Sequence, residues 1–328
     1  MNAITRVGPV RRTASPRHGE QGQALAIALV VLLFLTVIIG TTALTLRAEG
    51  RLTRVHADAV RARYLAQAGV ERAVYELAHD RNQYDALNER WSENPGAFGW
   101  VVLGQEGSAS ARSGREHPFY DVRYISPDGT PRLGIVDEER KLNINKADEN
   151  VLRALIAAVC KEKRLAIPEG AAKVIHDRAQ AKPFRAVGEL AGLKEVGPEV
   201  AQALVPFVTV YGAGAVNVNT AEFVVLAALE GLGPEGAREI IARRNGADGT
   251  PGTLDDQPFR RTEEVRDFLK LSRADFNRLA RQIAVRSEYF TIEAYGVLPE
   301  AIPPVERMLS VVVWRKADGI QFVRFEER

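Results

Sequence analysis

The 328-residue chain contains a single cysteine, Cys160. That excludes a disulfide framework and any cysteine-rich zinc module. Net charge is almost absent as well. The 44 Lys+Arg and 42 Asp+Glu leave +2, which gives no overall pull toward a polyanion. The five histidines (His18, His56, His79, His117, His176) are scattered, with no H-E-x-x-H spacing, G-x-S-x-G elbow or P-loop nearby. Hydrolytic and redox catalysis therefore find little support, and the chain reads as non-enzymatic. Cys160 ends the apolar stretch Ala157-Ala158-Val159-Cys160 and reads as a small buried hydrophobe rather than a nucleophile. Gly231-x-Gly233-x-x-Gly236 fits the dinucleotide pattern, but a helix precedes it and no acidic residue comes after it at the required place. The remaining composition, 46% hydrophobic and 26% charged, is globular and excludes wholesale disorder.

The apolar residues are unevenly placed. Ala24 to Leu46 runs without a charge, and a helix of that length spans roughly 35 Å, enough for a bilayer core. Arg6, Arg11, Arg12, Arg17 and His18 precede it, so the positive-inside rule keeps the N-terminus cytoplasmic and exports the chain beyond Arg47. A cleaved signal peptide would have a shorter apolar region and a better small-residue site than Thr41-Thr42-Ala43. A plain signal anchor is a second reading. A third is a prepilin leader cut at Gly22-Gln23, which lies after a basic segment and directly before the apolar run. Beyond Arg47, apolar or small residues recur at helical steps through Val55, Ala59, Ala62, Ala66, Gly69, Ala73 and Leu77. One helix is thus expected from about Ala24 to about Asp80.

Strand-like runs come next at Trp100–Leu103 and Phe119–Ile125, with Arg132–Asp137 as hairpin partner across the Pro127–Thr130 turn. Others lie at Tyr289–Tyr295, Glu306–Arg315 and Ile320–Phe325. Between these two groups the sequence is helical and internally repeated. Leu142-Asn143-Ile144-Asn145-Lys146-Ala147-Asp148 answers to Val216-Asn217-Val218-Asn219-Thr220-Ala221-Glu222. Pro168-Glu169-Gly170-Ala171 recurs as Pro234-Glu235-Gly236-Ala237, and Pro183-Phe184-Arg185 as Pro258-Phe259-Arg260. Asn145 and Thr220 are expected to cap the next helices, with Asp148 and Glu222 in their first turns.

The order of these features resembles the minor pseudopilin K (GspK) family of the type II secretion system. It rests on a leader ending in Gly22, an apolar helix from Gln23, Tyr64 to Ala73 in its continuation, and Lys141-Leu142-Asn143-Ile144-Asn145 opening a helical insert. The resemblance implies an α+β, pilin-like fold: a long N-terminal transmembrane and amphipathic helix packed on an antiparallel sheet. It also implies a large all-α insert of duplicated helix-hairpin-helix or SAM-like units. The expected segments are a leader (1–22), a transmembrane helix (23–46), a first pilin-like part (47–141), the insert (142–288, repeats 142–214 and 215–288) and a second pilin-like part (289–328). Counting Gln23 as the first mature residue, the fifth is Ile27, where most such helices carry a glutamate that pairs with a preceding subunit. A charge at lipid depth needs such a partner, so its absence agrees with a subunit at the pseudopilus tip. The implied location is the bacterial inner membrane, single-pass, with the C-terminal domain periplasmic. The implied partners are other minor pseudopilins and the pseudopilus, with prepilin peptidase acting at Gly22.

Two features allow other chemistry. Glu230 to Ala237 resembles the glycine-rich hairpin of helix-hairpin-helix DNA-binding modules, where backbone N–H groups meet phosphate. A membrane-anchored DNA-binding protein of a competence-like uptake system is therefore the rival, alongside a type IV pilus minor pilin. However, residues 141–288 carry 22 Lys/Arg against 20 Asp/Glu, and nucleic-acid affinity requires a basic face. No nucleic-acid partner is expected. The loop Gly246–Gln257 places Asp248, Asp255 and Asp256 among glycines, a hard-oxygen donor set suited to Ca²⁺ though not an EF-hand, and otherwise a solvated turn. The family resemblance adds calcium in the helical domain to the expectations for this loop.

Overall fold

The computed structural model describes residues 18–93, 95–102 and 117–328. Two units divide the chain, one up to Ala57 and one from Asp58 to Arg328. Helix α1 (His18–His79) is continuous, and from Gln23 onward it has the length and apolarity to cross a bilayer. In the first unit its side chains from Leu25 to Leu46 are almost all exposed, including Phe34, Ile38 and Ile39. Thr36, Thr41, Thr42 and Thr45 turn their hydroxyls back to carbonyls three or four residues earlier. Polar hydrogens in this run are thereby satisfied without water.

In the second unit α1 presents Ala62, Ala66, Val70, Ala73 and Leu77, all buried, to a six-stranded antiparallel sheet. After α2 (Pro95–Phe98), the strands are β1 (Phe119–Ile125), β2 (Pro131–Leu133) and β3 (Val136–Asp137). The insert comes next, and the sheet resumes with β8 (Tyr289–Leu298), β9 (Val305–Lys316) and β10 (Gly319–Glu327). Spatial order is β10-β9-β8-β1-β2, with β3 also on β8. Strand β8 alternates burial residue by residue, and Phe290, Ile292 and Ala294 join Val311 and Val313 of β9 in the core under α1. The small residues of α1 permit a close approach. A Cβ on Gly69 would stand 3.0 Å from the Ala294 Cβ, and one on Gly296 would overlap the Ala62 carbonyl at 1.8 Å.

Two expectations in this region are corrected. Arg132–Asp137 is not one hairpin partner of β1. Of that stretch, only β2 pairs with β1, through Arg123–Leu133 and Ile125–Pro131, whereas β3 pairs with β8 at Thr291 and Phe290. The chain crosses over because β1 leaves β8 after Val122 and vacates its edge, while Gly134 bonds to the Val122 carbonyl. The run at Trp100–Leu103 is reduced to a single bridge between Val101 and Tyr120, and Leu103 lies outside the described residues.

The insert packs its own core from Leu142 to Ile283. Its first half runs β4 (Leu142–Asn143), α3 (Glu149–Lys163), α4 (Ala171–Ala181), α5 (Pro198–Leu204) and β5 (Val208–Thr209). Its second half runs β6 (Val216–Asn217), α6 (Phe223–Ala228), α7 (Gly233–Arg244), α8 (Thr262–Leu269), α9 (Arg273–Leu279) and β7 (Ile283–Ala284). Each half is closed by a short parallel pair, β4 with β5 and β6 with β7. Cys160 is fully buried among these helices, and burial pushes its thiol pKa up.

Candidate functional site

Gly22 and Gln23 lie inside α1, so the bond between them is in helical backbone. The basic residues Arg6 to Arg17 lie outside the described residues. Ile27 is one turn further along and exposed, with no acid between Gln23 and Leu46.

The repeated asparagines take a role other than capping. Asn145 donates to the Phe184 carbonyl (2.9 Å) and accepts from the Phe184 N–H (2.7 Å). Asn219 holds Phe259 in the same way, at 2.8 Å for both bonds. The cap positions of α3 and α6 are occupied by Asp148 and Glu222, without side-chain cap bonds. Each side-chain amide reproduces a strand-like pair of bonds, so the phenylalanine of Pro-Phe-Arg is fastened to the start of its own repeat. Asn143 and Asn217 form the second tier. Each accepts from the backbone N–H two residues on, and their Nδ2 groups donate to Tyr211 and Gly212 carbonyls and to Asp137 respectively.

Asp137 belongs to a junction that motif reading missed. Residues Asp137 to Arg140 form a short turn between β3 and β4, where the sheet passes into the insert, and all four are buried. The signal was present as four consecutive charged residues between two apolar strands. Asp137 accepts from Thr220 Oγ1 (2.6 Å), Ser287 Oγ (2.8 Å) and the Glu139 N–H (2.8 Å). Burial nevertheless raises its pKa. Glu139 is pushed up to about 7, first by burial and then by the neighbouring Asp137 charge. Glu138 goes the other way. Burial pushes it up, but Lys141 at 2.6 Å and the hydroxyls of Thr209 and Thr291 outweigh that and hold it below the usual range. On the far side of Asp137, Arg315 bridges Asp80 (2.8 Å) and Asp85 (2.5 Å). Burial outweighs that guanidinium and raises Asp85 to about 7.

Asp80, Asp85 and Glu89 are the acids among the described residues whose carboxylate oxygens gather within 4.8 Å. Arg315 already occupies two of them. The three aspartates of the 246–257 loop do not converge that tightly. They surround one hydroxyl, with Thr253 Oγ1 at 2.6 Å from Asp255, 3.3 Å from Asp256 and 3.5 Å from Asp248. Asp255 Oδ2 also accepts from the Ala247 and Asp248 N–H groups, and the Thr253 hydroxyl first, then these N–H groups, hold its pKa low. Next to this loop the buried Asn245 Oδ1 has no hydrogen-bond partner. Carboxylates and a hydroxyl are the donor types a hard divalent cation takes, and here Asp248 and Asp256 also accept from the loop's own Thr250 and Gly252 N–H groups.

The hairpin at Gly231–Ala237 bends through positive φ at Gly231 and Gly233, and its Glu235 pairs with Arg238 at 2.5 Å. Pro234-Glu235-Gly236 falls within the first turn of α7, whereas Pro168-Glu169-Gly170 stands outside α4.

No protein-family profile matches this chain, and no curated protein does. Among solved structures, a chain of the GspK-GspI-GspJ complex from the enterotoxigenic Escherichia coli type 2 secretion system matches with TM-score 0.57. The match covers 84% of this chain and 99% of that one, at 13% identity. The two share a fold. It is the pilin-like α+β fold with its long N-terminal apolar helix and antiparallel sheet.

Proposed function

We propose that this chain is a minor pseudopilin of a type II secretion system, that it caps the tip of the pseudopilus, and that it aids assembly for protein export across the outer membrane. The observation that carries the reading is a bilayer-length helix that continues into a pilin-like body with a large helical insert between its strands. The similar chain comes from a complex of three Gsp proteins, which supports other minor pseudopilins as partners here. Ile27 supports the tip position, because a helix without an acid at lipid depth needs no cationic partner from a subunit beyond it. In this reading Gly22 is the residue recognised by prepilin peptidase, the N-terminus is cytoplasmic, and the insert and sheet are periplasmic. The chain acts by assembly and not by catalysis, and calcium is held by Asp248, Asp255 and Asp256. The neutral charge balance of residues 141–288 and the Glu235–Arg238 pair at the hairpin weigh against the DNA-binding reading.

The test is mass spectrometry of the mature protein after co-expression with a prepilin peptidase. The wild type should begin at Gln23, and Gly22→Trp should keep its leader. An intact Met1 in the wild type, or unchanged processing of the variant, would overturn the prepilin assignment.

A further inference from the structure

Helix α1 carries a stripe of positive charge just past its apolar run. No charged residue occurs from Ala24 to Leu46, and Arg47, Arg51 and Arg54 come next, all exposed. At about 100° per residue the three fall within roughly 60° of arc, on successive turns of the helix. Glu49, the acid among them, lies on the opposite face. None of the three arginines makes an ion pair among the described residues, and Asp58, the next acid in sequence, is taken by Arg61 at 3.8 Å. Leu52 and Val55, both more than half exposed, flank the stripe.

Depth decides what such a stripe meets. The apolar run fills the hydrocarbon core, so the headgroup layer, several Å thick, begins where the run ends. Arg47 stands about 1.5 Å beyond Leu46 and Arg51 about 7.5 Å, both within that layer. Arg54, about 12 Å beyond, is still within a Debye length of it. All three cations are arginines, whose planar fork accepts two oxygens of one phosphate. The cations on the other side of the run, Arg6, Arg11, Arg12 and Arg17, all precede Gly22. If the leader is cut there, the stripe holds all the positive charge next to the bilayer.

We propose that Arg47, Arg51 and Arg54 bind the phosphodiester headgroups of anionic phospholipids in the leaflet from which α1 emerges. The exposed Leu52 and Val55 rest beside them at the edge of the acyl region. The inference rests on the reading of α1 as bilayer-spanning, and adds that this helix selects its lipids.

The experiment reconstitutes the full-length protein in phosphatidylcholine vesicles and reads lipid contact by electron spin resonance. The probes are spin-labelled phosphatidylglycerol and spin-labelled phosphatidylcholine. The anionic lipid should associate about tenfold more strongly at low salt. At high salt the preference should shrink to less than about threefold. Replacing all three residues (Arg47→Gln, Arg51→Gln, Arg54→Gln) should bring the two lipids close to equality, while glutamine keeps the helix. Glu49→Gln, which raises net charge on the opposite face, should change the preference by less than about twofold. A several-fold rise in that variant would show diffuse charge in place of a stripe and would overturn the proposal. A preference that survives the triple replacement would do the same. Equal association in the wild type also overturns it, and leaves the stripe to an acidic partner protein. Protein that fails to float with the vesicles overturns the bilayer-spanning reading as well, whereas protein that floats without lipid preference overturns this proposal alone.

Discussion

Asn219 shows at the scale of one residue how the repeat is held. Its side chain satisfies both backbone groups of Phe259, 40 residues away, in a site where Asn219 is 1% exposed. Truncation to alanine leaves an N–H and a C=O unpaired inside the core, each worth about 1–3 kcal/mol. Asn219→Ala should therefore cost about 2–4 kcal/mol in denaturant unfolding. Asn145→Ala breaks the same pair of bonds at a half-buried position where water can substitute, and should cost about 1 kcal/mol less. Equal losses would show that burial does not set the difference. The sequence displayed the repeated Asn-x-Asn but not its purpose, because an asparagine just ahead of a helix reads locally as a cap. Its partner is distant in sequence, and nothing in the periodicity points to it.

At the scale of elements, legibility followed length. Strands β8, β9 and β10 and helix α1 were readable because each repeats its pattern over nine or more residues. The parallel pairs β4–β5 and β6–β7 were not, being two residues long with partners more than sixty positions away. The loop between α7 and α8 was legible as chemistry, since glycines and aspartates declare themselves by composition. Its geometry gives the calcium proposal a direct test. Calcium added to chelator-treated full-length protein should raise the melting temperature by several degrees, because a ligand bound only by the folded state stabilises it. Asp255→Asn should abolish most of that gain, since Asp255 contacts Thr253 and holds the Ala247 and Asp248 N–H groups. A calorimetric titration without heat in the wild type would remove calcium from the loop.

At the scale of the whole molecule, a sheet interrupted by a helical insert needs a joint, and this one is built from buried charge. The nested order was readable from strands on both sides of a helical stretch. The ionised joint was not, because a run such as Asp137-Glu138-Glu139-Arg140 ordinarily marks a solvated turn. The joint makes stability depend on pH. Glu139 faces Asp137 and the Glu288 and Tyr289 backbone N–H groups, and its pKa is about 7 against 4.5 in the unfolded chain. Between those values the folded state holds the proton more tightly, so folding is favoured below pH 4.5 and the advantage is lost as pH rises toward 7. Asp85 acts in the same direction. Glu138, held low, contributes the opposite slope only where pH falls below its ordinary 4.5. Unfolding free energy should therefore decline between pH 5 and pH 7 and level off above, with Glu139 contributing up to about 3 kcal/mol. Glu139→Gln removes the titrating group while keeping a hydrogen-bonding side chain in place. It should flatten the slope and raise stability at pH 8 relative to the wild type, and an unaltered slope would show that the joint does not titrate through Glu139.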